Sequence, residues 1–441
     1  MTDPKKTNSL KSISLIGSSD IIGAGIAAFF WFYLATLMDA ATYGELHYFI
    51  AIAGFAYTIS LVSARDVVTV YVSKKIKITP ILFLLSLSVG AVAAIVIFSF
   101  FYRVDAAFLV LAFIINDLAI GYILGQKLFN SYAKYIIAQK ILTLVLGLAF
   151  FYIFGVEGII FALALSYIHF AIFIFRGFRK QKIDFSLLAP RSRFIITNYS
   201  LNLFSSFRNH LDKIIIVPIL GFTLLGNYVL ALQFWAVLIL FSNIMFKYIL
   251  THDASGNPNK KLKLFTFFSS IAIAIFGITI LPLIIPEFFP KYTGTVDAIQ
   301  IMSICVIPAT VGQIYSSKLL GLEKSKTLII SRIISVTSFL PAILFLGLSF
   351  LAMFFYSGGS MINNPKNPLY NESILSYSHI YNFFSDLGLH NSWSGHSNSI
   401  SLVLFAYSLF FVAVELVAFY YALHYILKRM EMIELDNLLA Q

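Results

Sequence analysis

Charged residues are scarce in this sequence, and cysteine is nearly absent. Only 12% of the 441 residues are Asp, Glu, Lys or Arg, about half the share in an average soluble protein. The single cysteine, Cys305, excludes an intrachain disulfide and a multi-cysteine metal site. The sequence also lacks a glycine-rich phosphate loop, a paired-histidine zinc motif and a nucleophile elbow. We therefore expect a protein that is not an enzyme, does not itself hydrolyse ATP, and needs no cofactor or metal.

Apolar residues make up 59% of the chain, and the mean hydropathy is +0.87. A soluble fold of this size cannot bury so much apolar surface. About twelve segments are long and apolar enough for a transmembrane helix, which needs about 20 residues. The sequence therefore predicts an all-α, polytopic membrane protein. The predicted spans lie at about 12–37, 44–64, 79–102, 106–126, 135–154, 156–176, 195–220, 222–248, 262–286, 296–318, 327–355 and 399–426.

Lysines and arginines cluster in every second segment between these spans. The segments of the opposite side contain only Arg103, Lys291 and Lys366. Since cytoplasmic loops carry the excess of basic residues, both termini are predicted to be cytoplasmic, in the plasma or inner cell membrane. The net charge of +11 thus follows membrane topology. We do not expect nucleic acid as a partner, because the basic residues do not form one continuous surface.

The two halves of the chain resemble each other, which indicates an internal repeat. Gly44 aligns with Gly226 at the junction after the first span of each half, and Lys140 aligns with Arg332. The pattern predicts two six-helix lobes related by a pseudo-two-fold axis, a design suited to alternating access by rocking. We predict an N-terminal lobe at 1–176, a basic cytoplasmic linker at 177–194, and a C-terminal lobe at 195–441 with an outer insert at 356–398.

The seventh predicted span carries a polar stripe, which is costly in lipid and indicates a cavity or a protein contact. Its members recur at helical spacing, so they share one face. Arg208 and Lys213 flank that face, and Arg208 is predicted near mid-depth, either as a cavity cation or in a private ion pair with Asp212. The stripe consists of Asn198, Asn202, Ser205, Asn209 and Asp212.

Other polar residues within predicted spans are further site candidates. Asp20 lies on a small-residue face of the first span, which makes it a candidate for the cavity wall. Asp117, Asp212 and Glu415 are candidates for coupling to a proton or sodium ion, with an interhelical polar contact as the alternative. Lys140 and Arg332 either extend to the inner headgroups or bind phosphate there.

Several segments resemble known signatures in the same order. Residues 34–48, with the turn Leu37-Met-Asp-Ala-Ala-Thr-Tyr-Gly44, are similar to the turn after the first helix of polysaccharide flippases. Residues 211–228, 285–292 and 320–324 resemble their later motifs. Over about residues 12–350, the chain resembles the Wzx-type branch of the multidrug/oligosaccharidyl-lipid/polysaccharide exporter (MOP) superfamily. It departs from that pattern at Asp39-Ala40, where Gly-Pro is usual, and in the insert at 356–398.

The resemblance implies a flippase that exports polyprenyl-(pyro)phosphate-linked oligosaccharide from the inner to the outer leaflet for cell-surface polysaccharide or glycan biosynthesis. Arg208 and Lys213 would contact the pyrophosphate, with Asn202, Ser205, Asn209 and Asp20 as further substrate residues. Expected partners are the lipid-linked oligosaccharide, the membrane and glycan-assembly enzymes. Two alternatives stay open: a cation-coupled drug or small-molecule exporter of the same superfamily, and a membrane polysaccharide polymerase or ligase.

Overall fold

A computed structural model of the protein describes residues 4–321, except 63–64, 181–182, 207–209 and 255–257. The described part of the chain is helical and contains no β-strand. Short 3-10 turns occupy Ile168–Phe170, Phe185–Leu187 and Ala189–Arg191. The α-helices are α1 (Pro4–Leu37), α2 (Ala40–Ser60), α3 (Arg65–Ser73), α4 (Thr79–Phe101), α5 (Val104–Gly125), α6 (Phe129–Phe154), α7 (Glu157–Ser166), α8 (Ala171–Lys180), α9 (Ser192–Ser206), α10 (Asp212–Ala254), α11 (Lys260–Thr279), α12 (Leu281–Phe288) and α13 (Thr295–Gly321).

Eight helical segments in this part of the chain are long and apolar enough to cross a membrane, or nine if α2 and α3 form one span. Their positions match predicted spans one to six and eight to ten. The seventh predicted span, 195–220, falls on α9 and the start of α10. The eleventh and twelfth spans and the insert at 356–398 lie outside the described residues.

The second predicted span, 44–64, differs from the structure because two helices replace one. Asp39 starts α2 early by accepting a hydrogen bond from the backbone N–H of Thr42 at 2.9 Å. This side chain satisfies one of the unpaired N–H groups in the first turn, where the flippase pattern has Gly-Pro. α2 then ends at Ser60, and α3 continues after a bend of 41°.

The chain divides into two compact units between Val217 and Pro218. The first unit includes α9, which packs against α2 and α3. The domain boundary expected from the sequence, at 177–194, stays a prediction. Within α10, Gly221 has a non-helical backbone (φ 79°, ψ 172°), so a break separates the two parts of this helix at the turn that the sequence predicts.

α5 lies at the centre of the first unit and packs against α2, α3, α4 and α7. Two-thirds of its span is buried (67%), the highest share among the described spans. Two glycines allow α3 to approach its backbone closely. A methyl group at Gly121 would come within 2.7 Å of the Arg65 carbonyl oxygen, and one at Gly125 within 2.6 Å of Cβ of Val72. Small residues at such spacing are typical of tight packing between membrane helices.

α1 and α6 pack side by side and run in the same direction. Asp20 meets Tyr132 near one end of the pair, and the hydroxyls of Tyr33 and Tyr152 meet at 2.9 Å near the other. Between them, Gly147 receives the ring of buried Phe30. The interface between α1 and α6, called the α1–α6 groove below, therefore pairs residues at matching levels along the two helices.

The second unit contains the larger part of α10 with α11, α12 and α13. α11 packs on α13, where Gly277 makes room for Ser303. Polar contacts also join its helices: Ser242 and Thr310 hydroxyls meet at 2.6 Å, and Asp253 accepts a hydrogen bond from Ser317 at 2.7 Å. Such contacts satisfy polar groups that lipid cannot.

Candidate substrate site

The α1–α6 groove contains two of the predicted site residues, Asp20 and Lys140. Near the start of α6, the Tyr132 hydroxyl donates a hydrogen bond of 2.9 Å to Oδ1 of Asp20. Further along, the aliphatic part of Lys140 lies against buried Gly23, where an added methyl group would be 3.3 Å from its Cγ. The groove thus brings an acidic and a basic candidate onto one helix interface.

Lys140 lies further along its helix than the sequence suggested. α6 begins at Phe129, not near 135, and has 26 residues. At about 1.5 Å per residue, Lys140 is about 16 Å from the start of a helix about 39 Å long. Extension of its side chain to the inner headgroups and phosphate binding there both stay predictions.

The ammonium of Lys140 makes no hydrogen bond or ion pair with any residue that the structure describes. Most buried carboxylates of the described helices, in contrast, are already neutralised by a basic side chain at 2.7–3.2 Å. A charged group at membrane depth is costly unless a partner offsets its desolvation. These pairs are Arg65–Asp117, Arg103–Asp105, Lys213–Asp212 and Lys263–Asp253.

Asp117, an ion-coupling candidate, lies in a tight contact with the start of α3. Its Oδ1 accepts from the Arg65 guanidinium at 2.8 Å and 3.0 Å, and its Oδ2 accepts from the Arg65 backbone N–H at 2.9 Å. The Asp117 side chain is 7% exposed. This geometry matches the interhelical polar contact that the sequence left as the alternative, although the coupling role itself stays a prediction.

Asp212 and Lys213 begin α10 in the first unit. The Lys213 ammonium lies 3.2 Å and 3.3 Å from the two carboxylate oxygens of Asp212. Asp212 is buried and Lys213 is mostly so. Because Asp212 neutralises it, Lys213 carries less net charge toward a ligand than the sequence pattern implied.

The polar stripe of the seventh predicted span is described only in part. The Asn198 amide donates to the Phe194 carbonyl oxygen of its own helix at 2.9 Å, and Asn202 is half-buried on α9. Arg208 and Asn209 lie outside the described residues, as do Arg332 and Glu415. Ser205 belongs to α9, but its side chain is not among those described. Their assignments as substrate, ion or phosphate residues stay predictions.

The sequence analysis missed the residues that partner the predicted ones. Arg65 was assigned to an inner loop, and Tyr132 to the loop before a span that in fact begins at Phe129. A signal existed in each case. Arg65 is the first residue of the amphipathic segment Arg65–Ser73. Asn130, Ser131 and Lys134 are polar residues that a helix beginning in the headgroup region accommodates.

Comparisons with known proteins give the fold. No family model and no curated protein matches the sequence. A multidrug resistance MATE family transporter of the MOP superfamily is similar in its inward-facing conformation, with a TM-score of 0.58, 12% identity, and 94% of this chain and 95% of that chain covered. A MATE protein in complex with MaD3S matches with a TM-score of 0.53, 15% identity and 97% of each chain covered.

The outward-facing conformation of a multidrug resistance MATE family transporter of the MOP superfamily also matches, with a TM-score of 0.52, 15% identity, and coverage of 94% and 95%. At such identities the likeness shows the fold alone. The predicted fold class, a polytopic all-α protein of about twelve transmembrane helices in two six-helix lobes, is confirmed. MOP superfamily transporters of known structure share this fold, while membership of the Wzx-type branch stays a prediction.

Proposed function

We propose that the protein moves polyprenyl-(pyro)phosphate-linked oligosaccharide from the inner to the outer leaflet by alternating access. The fold supports transport, since similar chains are transporters in inward-facing and outward-facing conformations. Two opposed states of one fold are what alternating access requires. The proposal places the protein in the plasma or inner cell membrane, with cytoplasmic termini, as a supplier of substrate to glycan-assembly enzymes.

The choice of an anionic substrate rests on the charge of Lys140. It supplies a positive charge within a predicted membrane span, and no described carboxylate neutralises this charge. An anionic ligand can offset the desolvation of this charge, and a phosphate group offers oxygen acceptors for all three ammonium protons. A lipid-linked diphosphate is an anion whose polyprenyl tail stays in the bilayer, so the substrate fits both the charge and the surroundings.

A drug exporter is the second candidate, and one observation favours it. The similar structures include multidrug resistance transporters, and Asp20 places a carboxylate in the same groove, hydrogen-bonded by Tyr132. A cationic drug would meet Asp20 favourably but would be repelled by Lys140. The two functions therefore differ in which of these side chains the transported molecule requires.

The direct test is transport by the purified protein in proteoliposomes. We expect wild-type protein to expose a polyprenyl diphosphate-linked oligosaccharide, loaded on one leaflet, to a membrane-impermeant lectin or glycosidase on the other side. Lys140→Met keeps the length of the side chain and removes its charge, so transport should fall at least tenfold. Lys134→Met is the matched control, because Lys134 lies on the same helix but is exposed about 8 Å from its start.

The same proteoliposomes distinguish the drug-exporter function from the proposed flippase function. If wild-type protein transports a cationic dye but not the lipid-linked oligosaccharide, and Asp20→Asn removes dye transport while Lys140→Met does not, the drug-exporter function replaces the one proposed. Equal transport of the oligosaccharide by Lys140→Met and wild type would remove the site assignment.

A further inference from the structure

His47 is a buried imidazole for which the fold provides aromatic neighbours but an incomplete set of hydrogen bonds. Its ring centroid lies 4.5 Å from that of Trp31 in α1 and 4.6 Å from that of Tyr43 in α2. His47 is 7% exposed, and its Nε2 has no hydrogen-bond partner among the described residues. Because buried polar atoms are nearly always hydrogen-bonded in folded proteins, the Nε2 atom indicates a ligand or water molecule.

The ion pair of Asp212 and Lys213 begins a helix that follows directly on a contact with α2. His210 packs into the space above Gly54 of α2, where an added methyl group would meet its ring at 2.5 Å. His47 precedes Gly54 by two helical turns, so both residues share one face of α2. Lys213 follows His210 by about one turn. The ion pair and His47 therefore belong to two segments that meet at Gly54, within the first unit.

This set of groups suits a neutral polyhydroxylated ligand better than a phosphate. Asp212 and Lys213 form an ion pair at 3.2 Å, so their opposite charges offset each other. Sugar hydroxyls both donate and accept, and they can engage such a pair together with the imidazole nitrogen. The half-buried indole of Trp31 supplies an apolar surface on which the C–H face of a pyranose ring can pack.

Trp31 lies at a distance along α1 from which it can contact the same substrate as Lys140. Trp31 follows Gly23, the residue that receives Lys140, by two turns, which is about 12 Å along the axis toward the outer end. A sugar attached to a diphosphate held at Lys140 can extend over such a distance. This step depends on the proposed function, because it takes the diphosphate at Lys140 as its starting point.

We propose that Trp31, His47 and the Asp212–Lys213 pair form a carbohydrate subsite, which binds the sugar of a lipid-linked oligosaccharide while Lys140 binds its phosphate. The subsite recognises the glycan through stacking and hydrogen bonds, and Lys140 recognises the anion through charge. The two contacts therefore have separable ligands: a polyprenyl diphosphate without sugar engages Lys140 alone.

The test compares two lipids on the full-length protein. Binding of a polyprenyl diphosphate, and of the same lipid carrying a short neutral oligosaccharide, is titrated by native mass spectrometry of detergent-purified protein. Trp31→Leu and His47→Leu should each lower the affinity for the glycosylated lipid about tenfold while changing that for the bare lipid less than twofold. Lys140→Met should weaken both lipids alike. Trp235→Leu, which removes a tryptophan of the second unit, should change neither.

Conservative variants separate binding from folding. Trp31→Phe keeps an aromatic surface and His47→Gln keeps a hydrogen-bonding group, so each should retain more affinity for the glycosylated lipid than its leucine counterpart. Wild-type affinity of Trp31→Leu and His47→Leu for the glycosylated lipid, or an equal loss for both lipids, overturns the subsite and leaves the proposed function standing. Failure of wild-type protein to bind either lipid overturns both.

Discussion

At the scale of single residues, Gly23 sets how closely Lys140 packs on α1. A methyl group at this position would lie 3.3 Å from Cγ of Lys140, closer than an ordinary contact, so a larger side chain has to displace the lysine. The aliphatic part of Lys140 therefore packs on α1 where the backbone is bare. Glycine at this position is therefore part of the site.

We predict that Gly23→Leu displaces Lys140 and lowers the affinity for a bare polyprenyl diphosphate at least tenfold. Overpacking should also destabilise the fold by about 1–3 kcal/mol. Gly25→Leu is the matched control, because nothing lies within 4 Å of a methyl group there, and it should leave affinity and thermal midpoint unchanged. Native mass spectrometry and thermal unfolding in detergent measure the two effects. Unchanged affinity of Gly23→Leu for the polyprenyl diphosphate would show that Lys140 does not bind this lipid.

Asp39 is a second residue whose contribution to stability follows from its local hydrogen bonds. The backbone N–H and the hydroxyl of Thr42 both donate to its carboxylate. The hydrogen bond from the Thr42 backbone is the largest of the causes that hold the pKa of Asp39 below its usual value of 3.8. The charged carboxylate therefore stabilises the fold above that pH, and this contribution is lost as the pH falls through the lowered pKa.

We predict that Asp39→Ala destabilises the protein by about 1 kcal/mol at neutral pH, the usual effect of losing an N-cap. The difference from wild type should shrink as the pH falls below 3.8, because both proteins then lack the charged cap. Asp39→Asn, which can still accept the Thr42 hydrogen bond, should stay close to wild type at neutral pH. Thermal midpoints recorded across the acid range test this, and a gap that widens on acidification would contradict it.

At the scale of elements, α3 is held on α5 by contacts that do not depend on lipid. Asp117 caps the first turn of α3 through the Arg65 backbone and pairs with its guanidinium. Thr69 donates to the Gly121 carbonyl oxygen at 3.2 Å, and the glycines of α5 allow the helices to touch. These contacts fix the bent end of the α2–α3 span against the central helix.

We predict that Asp117→Asn destabilises the first unit by about 3 kcal/mol, the lower end for loss of one partner of a buried ion pair. The lower end applies because the Arg65 side chain is 41% exposed and water screens it. Replacing both partners, as Asp117→Leu with Arg65→Met, should restore much of the loss, since no uncompensated charge remains. A double-mutant cycle in detergent unfolding measures the coupling, and additive single effects would contradict a direct pair.

The sequence predicted the helices whose apolar length alone makes them membrane spans. It did not predict helix boundaries that depend on tertiary contacts. The apolar runs of α4, α5 and α6 are long enough to specify spans without reference to neighbours. The first residue after the break between α2 and α3, Arg65, is held by Asp117, which is distant in sequence, so no local pattern contained this contact. Lys140 was placed about 9 Å too near the start of its helix, because the polar first turns of α6 resemble a loop.

The candidate site shows the same division. The sequence identified polar groups within predicted spans as candidates, and among the described ones their pairing decides what each can do. Lys213 was predicted as a pyrophosphate ligand from its motif, and the structure places the Asp212 carboxylate against it. His47 gave no sequence signal, because a lone histidine in an apolar segment becomes informative only when the partners of its nitrogens are seen.

At the scale of the whole molecule, the distribution of lysines and arginines between the spans predicts the membrane topology. The single cysteine allows a direct test, because Cys305 is fully buried and its replacement by alanine leaves a cysteine-free background. We predict that Tyr102→Cys is labelled by a membrane-impermeant maleimide from outside intact cells, and Lys74→Cys only after permeabilisation. Both sites are exposed. The reverse pattern would invert the membrane orientation and with it the direction of export.

The account as a whole depends on a lipid-linked saccharide being moved by this protein, and its depletion in cells tests that claim most directly. Depleted cells should accumulate the lipid-linked oligosaccharide with its glycan on the cytoplasmic side, protected from a membrane-impermeant glycosidase until the cells are permeabilised. Wild-type protein and Lys134→Met should restore access from outside, and Lys140→Met should not. Glycan that stays accessible from outside in depleted cells, with unchanged cell-surface polysaccharide, would contradict the account.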